Sequence, residues 1–102
     1  ARDGGVAAEG AGLVILENGA HAAARGAQPY AALVGYGSCA DPPDSEEGAG
    51  LERAMRLALA NAPRQPEEID SVFAHGPGDP QMDRVESRCL VRVLEARARR
   101  FR

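Results

Sequence analysis

At 102 residues the chain has room for one small domain with a modest core, and residues 1–102 are expected to form a single unit. Hydrophobic residues make up 44% of it but aromatics only 4%, with no Trp, so the core must come from Ala, Val, Leu and Ile. Such a core is thin, because Ala buries little area and large side chains carry most of the burial energy, and a thin core favours a chain that completes itself against a partner. A formal charge of −3 and a pI near 5.3 give no overall attraction to nucleic acid or to anionic membrane, and neither is expected as a partner.

All 12 positive side chains are Arg, which together with abundant Ala reflects codon bias rather than a binding chemistry. Cys39 and Cys89 match no metal-ligand spacing, and one pair is no disulfide framework, so reduced thiols in the cytoplasm are expected and no metal. No apolar run approaches the ~20 residues of a membrane span, and no signal-like leader is present. The sequence opens Ala1-Arg2-Asp3 without Met, which points to a processing or cleavage boundary.

In chain order, residues 10–17 run Gly-Ala-Gly-Leu-Val-Ile-Leu-Glu, apolar on consecutive positions as in a strand buried on both faces. Residues 20–25 are Ala-rich and stop at Gly26, a natural left-handed end for a turn or two of helix. Residues 30–36, with Leu33 and Val34, lead through Gly35 and Gly37 into a polar loop and predict a second strand. Asp41-Pro42-Pro43-Asp44 cannot be helix interior.

Leu51, Ala54, Met55, Ala58, Leu59 and Ala62 recur at spacings of three and four and predict a helix that Pro63 ends. Residues 69–74, with Val72 and Phe73, predict a short strand running into His75-Gly76. Met82, Val85, Cys89 and Val93, flanked by Leu90 and Leu94, mark a long helix begun at Asp79-Pro80 or at the Asp83…Glu86 pair. Strand, helix, strand, helix, strand, helix calls for an α/β arrangement, and open edges make it part of a larger sheet.

The segment Arg2-Asp3-Gly4-Gly5-Val6-Ala7-Ala8-Glu9-Gly10-Ala11-Gly12 resembles the β-ketoacyl synthase motif D-R-D-G-F-V-x-G-E-G-A-G and its following strand. The similarity continues through His21 to Gly26 (family H-A-x-x-R-G), Val34-Gly35-Tyr36-Gly37, and the helix around Ala54-Met55-Arg56. It then reaches Ala74-His75-Gly76 (family A-H-G-T-x-T) and Asp83-Arg84…Glu86 (family D-x-x-E). The resemblance implies part of a thiolase-like layered αβαβα fold, incomplete in this chain.

By that resemblance His75 is the first of the family's two active-site histidines, which assist decarboxylation of a malonyl unit. The unit is carried on the phosphopantetheine of an acyl carrier protein, a group this chain is not expected to bind by itself. The family's nucleophilic Cys, second His and Lys have no counterpart in the sequence. Pro77 and Asp79 stand where the family has threonines along the phosphopantetheine arm, and a carboxylate there would sit near a carrier thioester that wants donors. Gly5 stands for an aromatic and Ala8 for a glycine.

Other residues have plainer readings. His21 reads as a solvated helix residue and Cys89 as a buried core thiol. Cys39 and His75 could form a thiolate and base, but spacing does not show that they meet, and a loop thiol is the plainer reading. Asp83 and Glu86 suit a helix N-terminus as well as a site network, with capping favoured. Residues 84–102 hold seven Arg against two Glu, a docking surface for an acidic carrier or, as a lesser alternative, for nucleic acid, with a solvated face and basic tail the plainer reading. The chain is therefore expected to be a ketosynthase-like component of a fatty-acid or polyketide synthase. Alone it is non-catalytic and acts beside another ketosynthase chain like a chain-length factor. The alternative is one piece of a split active synthase with His75 in its active site.

Overall fold

The computed structural model describes residues 4–95. In order they form α1 (Gly19–Ala24), α2 (Ala49–Asn61), a 3-10 turn (Pro66–Glu68) and α3 (Pro80–Leu94), joined by extended segments. The basic residues beyond position 95, and the Arg2-Asp3 end of the first motif, lie outside the described residues.

Each helix begins where a side chain satisfies its orphan amides. Asn18 Oδ1 accepts from Ala20 N at 3.0 Å and His21 N at 3.3 Å to start α1. Gly26, at φ +73°, ends it as expected. Asp79 caps α3 by accepting from Gln81 N at 2.8 Å and Met82 N at 3.1 Å, with Pro80 in the first turn. For α2 the cap comes from a distance. Gly48 takes the left-handed conformation at φ +90°, and Asp41 reaches across its loop to accept from Gly48 N (3.1 Å) and Gly50 N (2.6 Å).

Helices α2 and α3 pack on each other, and α3 clamps the loop that enters α2. Cys89 Sγ donates to Gly48 O at 3.3 Å, and the Arg88 guanidinium donates to Glu47 O. Gln81 Nε2 donates to Glu47 Oε2 at 2.9 Å and Arg92 Nη1 to Glu46 Oε2 at 2.8 Å. Among the described residues the buried apolar side chains are Ala22, Cys89, Val93 and Leu94, so the core sits along the inner face of α3. It is as thin as the Ala-rich composition implies.

The extended segment before the loop lies against the outer length of α2 through two glycines. A Cβ built on Gly37 would stand 2.0 Å from Ala54 O, and one on Gly35 would stand 2.6 Å from Ala58 O and 2.8 Å from Ala62 Cβ. Glycines two apart on an extended chain present the same face, and Ala54, Ala58 and Ala62 repeat every four residues on the helix. Small residues on both sides allow backbone to meet backbone.

The expected strands at 10–17, 30–36 and 69–74 are extended but unpaired: no strand forms among the described residues. The α/β class is thus not shown among the described residues. A helix closes its hydrogen bonds within itself, whereas a strand exists only against a neighbour. Many of their apolar side chains face outward, with Leu13 92% and Phe73 99% exposed.

Candidate functional site

A cavity of about 530 Å³ opens between the 37–41 loop, the start of α2, the 75–77 loop and the start of α3. Leu51, Ala54, Met82 and Val85 line it from the two helices, Cys39, His75 and Pro77 from the loops, and Asp41, Glu47 and Glu86 add carboxylates. An apolar pocket with a few convergent polar groups is the usual form of a small-molecule site.

The loop carrying His75 is held from below by α3. Glu86 accepts from His75 N at 2.7 Å through Oε1 and from Gly76 N at 2.9 Å through Oε2, and Asp83 Oδ1 accepts more loosely from Gly78 N at 3.4 Å. Gly76 and Gly78 take positive φ, and a Cβ on Gly78 would stand 2.7 Å from Gly4 O, so the N-terminal segment crosses over the loop. The backbone amides turn toward α3. The imidazole is left exposed on the cavity wall and makes no hydrogen bond among the described residues.

Capping therefore does not account for Asp83 and Glu86: Asp79 fills that role, and the two acids brace the His75 loop. The Asp79 carboxylate is engaged with the amides of Gln81 and Met82 and is not among the groups that line the cavity. Pro77 does line the cavity and supplies no amide donor there.

Other candidates separate cleanly. His21 is solvated and pairs with Glu17, at 2.7 Å, as does Arg25 through two bonds of 2.6 Å. These contacts, Arg25 first, hold the Glu17 carboxyl below the usual carboxylate range. The Asp41 carboxyl is likewise lowered by the Gly48 and Gly50 amides, and Glu46 by Arg92 and Arg88. Cys89 is buried as expected, and desolvation pushes its thiol up. Cys39 is half-buried in the loop, its Sγ 3.3 Å from Ala40 O, on the same cavity as His75. No group of three or more His, Cys, Asp and Glu suited to a metal occurs among the described residues. No helix among them is long and apolar enough to cross a membrane.

The sequence profile of the β-ketoacyl synthase C-terminal domain matches residues 30–102. The chain is 48% identical over 93 residues to the actinorhodin polyketide putative β-ketoacyl synthase 2 of Streptomyces coelicolor, covering 89% of this chain and 23% of that protein. It is 42% identical over 103 residues to the mitochondrial 3-oxoacyl-[acyl-carrier-protein] synthase of Arabidopsis thaliana, covering 95% and 22%. It is 41% identical over 104 residues to the 3-oxoacyl-[acyl-carrier-protein] synthase 2 of Rhizobium meliloti, covering 98% and 24%. The chain thus spans under a quarter of the length of these relatives.

Proposed function

The chain belongs to the β-ketoacyl synthase family, whose C-terminal domain implies a thiolase-like fold, and from that premise we propose that it works as a partner component of a fatty-acid or polyketide synthase. It condenses nothing by itself. Its role is to complete the layered sheet of a ketosynthase, in the manner of a chain-length factor, and to shape the space in which a carrier-bound chain grows. The observation that carries this reading is the outward-facing apolar surface of residues 13–16 and of Phe73, which is strand-like in sequence and largely uncovered among the described residues. Contiguous apolar surface of this kind marks an interaction face.

The names of the relatives supply the rest of the proposal. Two of them are synthases of acyl-carrier-protein thioesters, so an acyl carrier protein is the partner that would present its phosphopantetheine arm at the cavity. That arm is long, thin and mostly apolar between its amides, which suits a pocket lined in part by Leu51, Ala54, Met82 and Val85. The other partner is further ketosynthase polypeptide, either a separate chain or the remainder of the domain.

A second reading is favoured by the His75 loop. A histidine braced by two amide bonds to Glu86, with its ring turned to a cavity, is what a piece of an active synthase would keep. The two readings part on one experiment. The chain is co-expressed with a ketosynthase chain that carries an acylatable Cys, and the assembly is weighed by native mass spectrometry and assayed for condensation. A stable assembly whose condensation is unchanged by His75→Ala supports the partner role. Loss of condensation with assembly intact supports the split synthase, and absence of assembly overturns both.

A further inference from the structure

We propose that Asn18 is a site of spontaneous modification: its side-chain amide is exchanged for a carboxyl by way of the Gly19 amide nitrogen and water, and α1 sets the rate. The inference is independent of the partner role above. A backbone nitrogen reaches the side chain of the preceding asparagine most freely when it belongs to glycine, which has no Cβ in the way. The sequence holds one Asn-Gly pair, Asn18-Gly19; its other asparagine, Asn61, precedes Ala62. Both residues of the pair are exposed, and a Cβ on Gly19 would meet nothing within 4 Å.

The closed helix holds the reaction back. Asn18 Oδ1 is tied to Ala20 N and His21 N, Asn18 O accepts from Ala22 N at 2.9 Å, and the Asn18 backbone is extended at ψ 131°. Ring closure needs the side chain to leave the cap and ψ to rotate, so that the Gly19 nitrogen lines up on Asn18 Cγ. Little holds α1 closed. It has 6 residues, fewer than the ~12–15 that stand alone in water, and its buried residue is Ala22. Its other fastening is Glu17, which accepts from Arg25 through two bonds of 2.6 Å and pairs with His21 at 2.7 Å. Such an element opens locally, without the rest of the fold.

The atoms balance with water as the only further reactant. The Gly19 nitrogen loses its proton and bonds Asn18 Cγ, the bond from Cγ to Nδ2 breaks, and ammonia leaves with that proton. Water then opens the cyclic imide. Attack at the side-chain carbonyl gives aspartate, which caps a helix as well as asparagine does. Attack at the backbone carbonyl gives isoaspartate, whose main chain is longer by one carbon and takes the cap away from Ala20 and His21. Either product adds a negative charge next to Glu17 in the sequence.

The test incubates the 102-residue chain at neutral pH and reads it by intact mass, peptide mapping and labelling with an isoaspartyl methyltransferase. Residue 18 should convert to a mixture of aspartate and isoaspartate while Asn61 stays intact. Unfolding in urea should speed conversion about tenfold, the factor set by closure of α1. Glu17→Gln loosens α1 and should move the folded rate toward the urea rate without changing the latter; Gly19→Ala should slow both. In the isoaspartate product the Ala20 and His21 amides should exchange quickly with solvent while α2 stays protected. Preferential conversion of Asn61 would overturn the inference, as would equal rates in folded and unfolded chains or a folded rate indifferent to Glu17→Gln. So would a folded chain that stays unmodified while the unfolded one converts completely.

Discussion

The clamp made by α2, α3 and the loop between residues 35 and 50 and the extended segments at 10–17 and 69–74 draw on the same Ala- and Val-rich composition, yet only the clamp satisfies itself. Within the clamp every element closes locally or nearly so: helix hydrogen bonds, the Asp79 and Asp41 caps, glycine-to-alanine contact, and the ties of Gln81, Arg88 and Arg92 to residues 46–48. The extended segments carry larger apolar side chains, Leu13, Ile15 and Phe73, and leave them in solvent. Burial energy scales with area removed from water, so the segments with most to gain are those still uncovered. Local closure, rather than hydrophobicity, decides which part of this chain satisfies itself.

The sharpest test of that contrast is Gly37→Ala. A Cβ placed 2.0 Å from Ala54 O cannot be accommodated without moving α2 from its support, at a cost of about 3 kcal/mol. Urea titration of the helical circular-dichroism signal should show the midpoint fall sharply. Gly10→Ala is the matched control, because nothing lies within 4 Å of its Cβ, and its midpoint should stay put. Equal losses for the two glycines would erase the distinction between the regions.

Glu86→Ala comes next. It removes the acceptor of two amides while leaving α3 its own cap at Asp79, and should cost about 1.5 kcal/mol, the low end for charge-assisted bonds, because the loop is partly wet. The signature is local: the His75 and Gly76 amides should exchange with solvent much faster while those of the α2 interior do not. Loss of protection throughout α2 would mean that the His75 loop belongs to the clamp.

A smaller effect is expected from acid. Asp41, Glu46 and Glu17 all have carboxyls lowered in the folded chain, by the Gly48 and Gly50 amides, by Arg92 and Arg88, and by Arg25 and His21 respectively. A lowered folded value means stability that is complete above the ordinary carboxylate value, about 4, and is lost as pH falls through the folded value. Salt divides the three. The ion pairs of Glu46 and Glu17 are exposed and should weaken in high salt, whereas Asp41 bonds backbone amides and should not. Asp41→Asn should therefore remove the salt-insensitive part of the acid transition. At the alkaline end the raised Cys89 thiol acts in the opposite sense, its contribution being present below the ordinary thiol value and lost as pH rises through the folded one.

Much of this was legible in the sequence, for reasons that track the same division. The three-and-four spacing from Leu51 to Ala62 and the Asp79-Pro80 start gave α2 and α3, because helix signals are local. The stop at Gly26 was legible for the same reason. The strands at 10–17, 30–36 and 69–74 were read from apolar runs, which report that a segment wants burial but not whether a neighbour is present. At the site, His75 stood out from its motif, while the bracing role of Glu86 did not. An acid in the first turns of a helix looks like a dipole partner until the preceding loop is seen to fold back on it. Asp41 was hidden in a proline-rich loop, since a cap supplied from outside the helix leaves no pattern at the helix start.

The smallest effect on the isolated chain, and the one that bears most on function, is expected from Ile15→Lys. Ile15 is 86% exposed, so a lysine there removes no packing, and the urea midpoint should move by less than about 0.5 kcal/mol. In an assembly the same position would lie within a sheet covered on both faces, where an unpaired ammonium is not tolerated. Ile15→Lys should then abolish association with a ketosynthase chain in native mass spectrometry, while Glu9→Lys, an exposed charge reversal before the apolar run, should leave it largely intact. If Ile15→Lys destabilises the lone chain as Gly37→Ala does, residues 10–17 already contribute to its fold and the comparison collapses. If it alters neither stability nor assembly, the apolar run is not the face through which the chain joins a synthase, and the proposed partner role loses its main support.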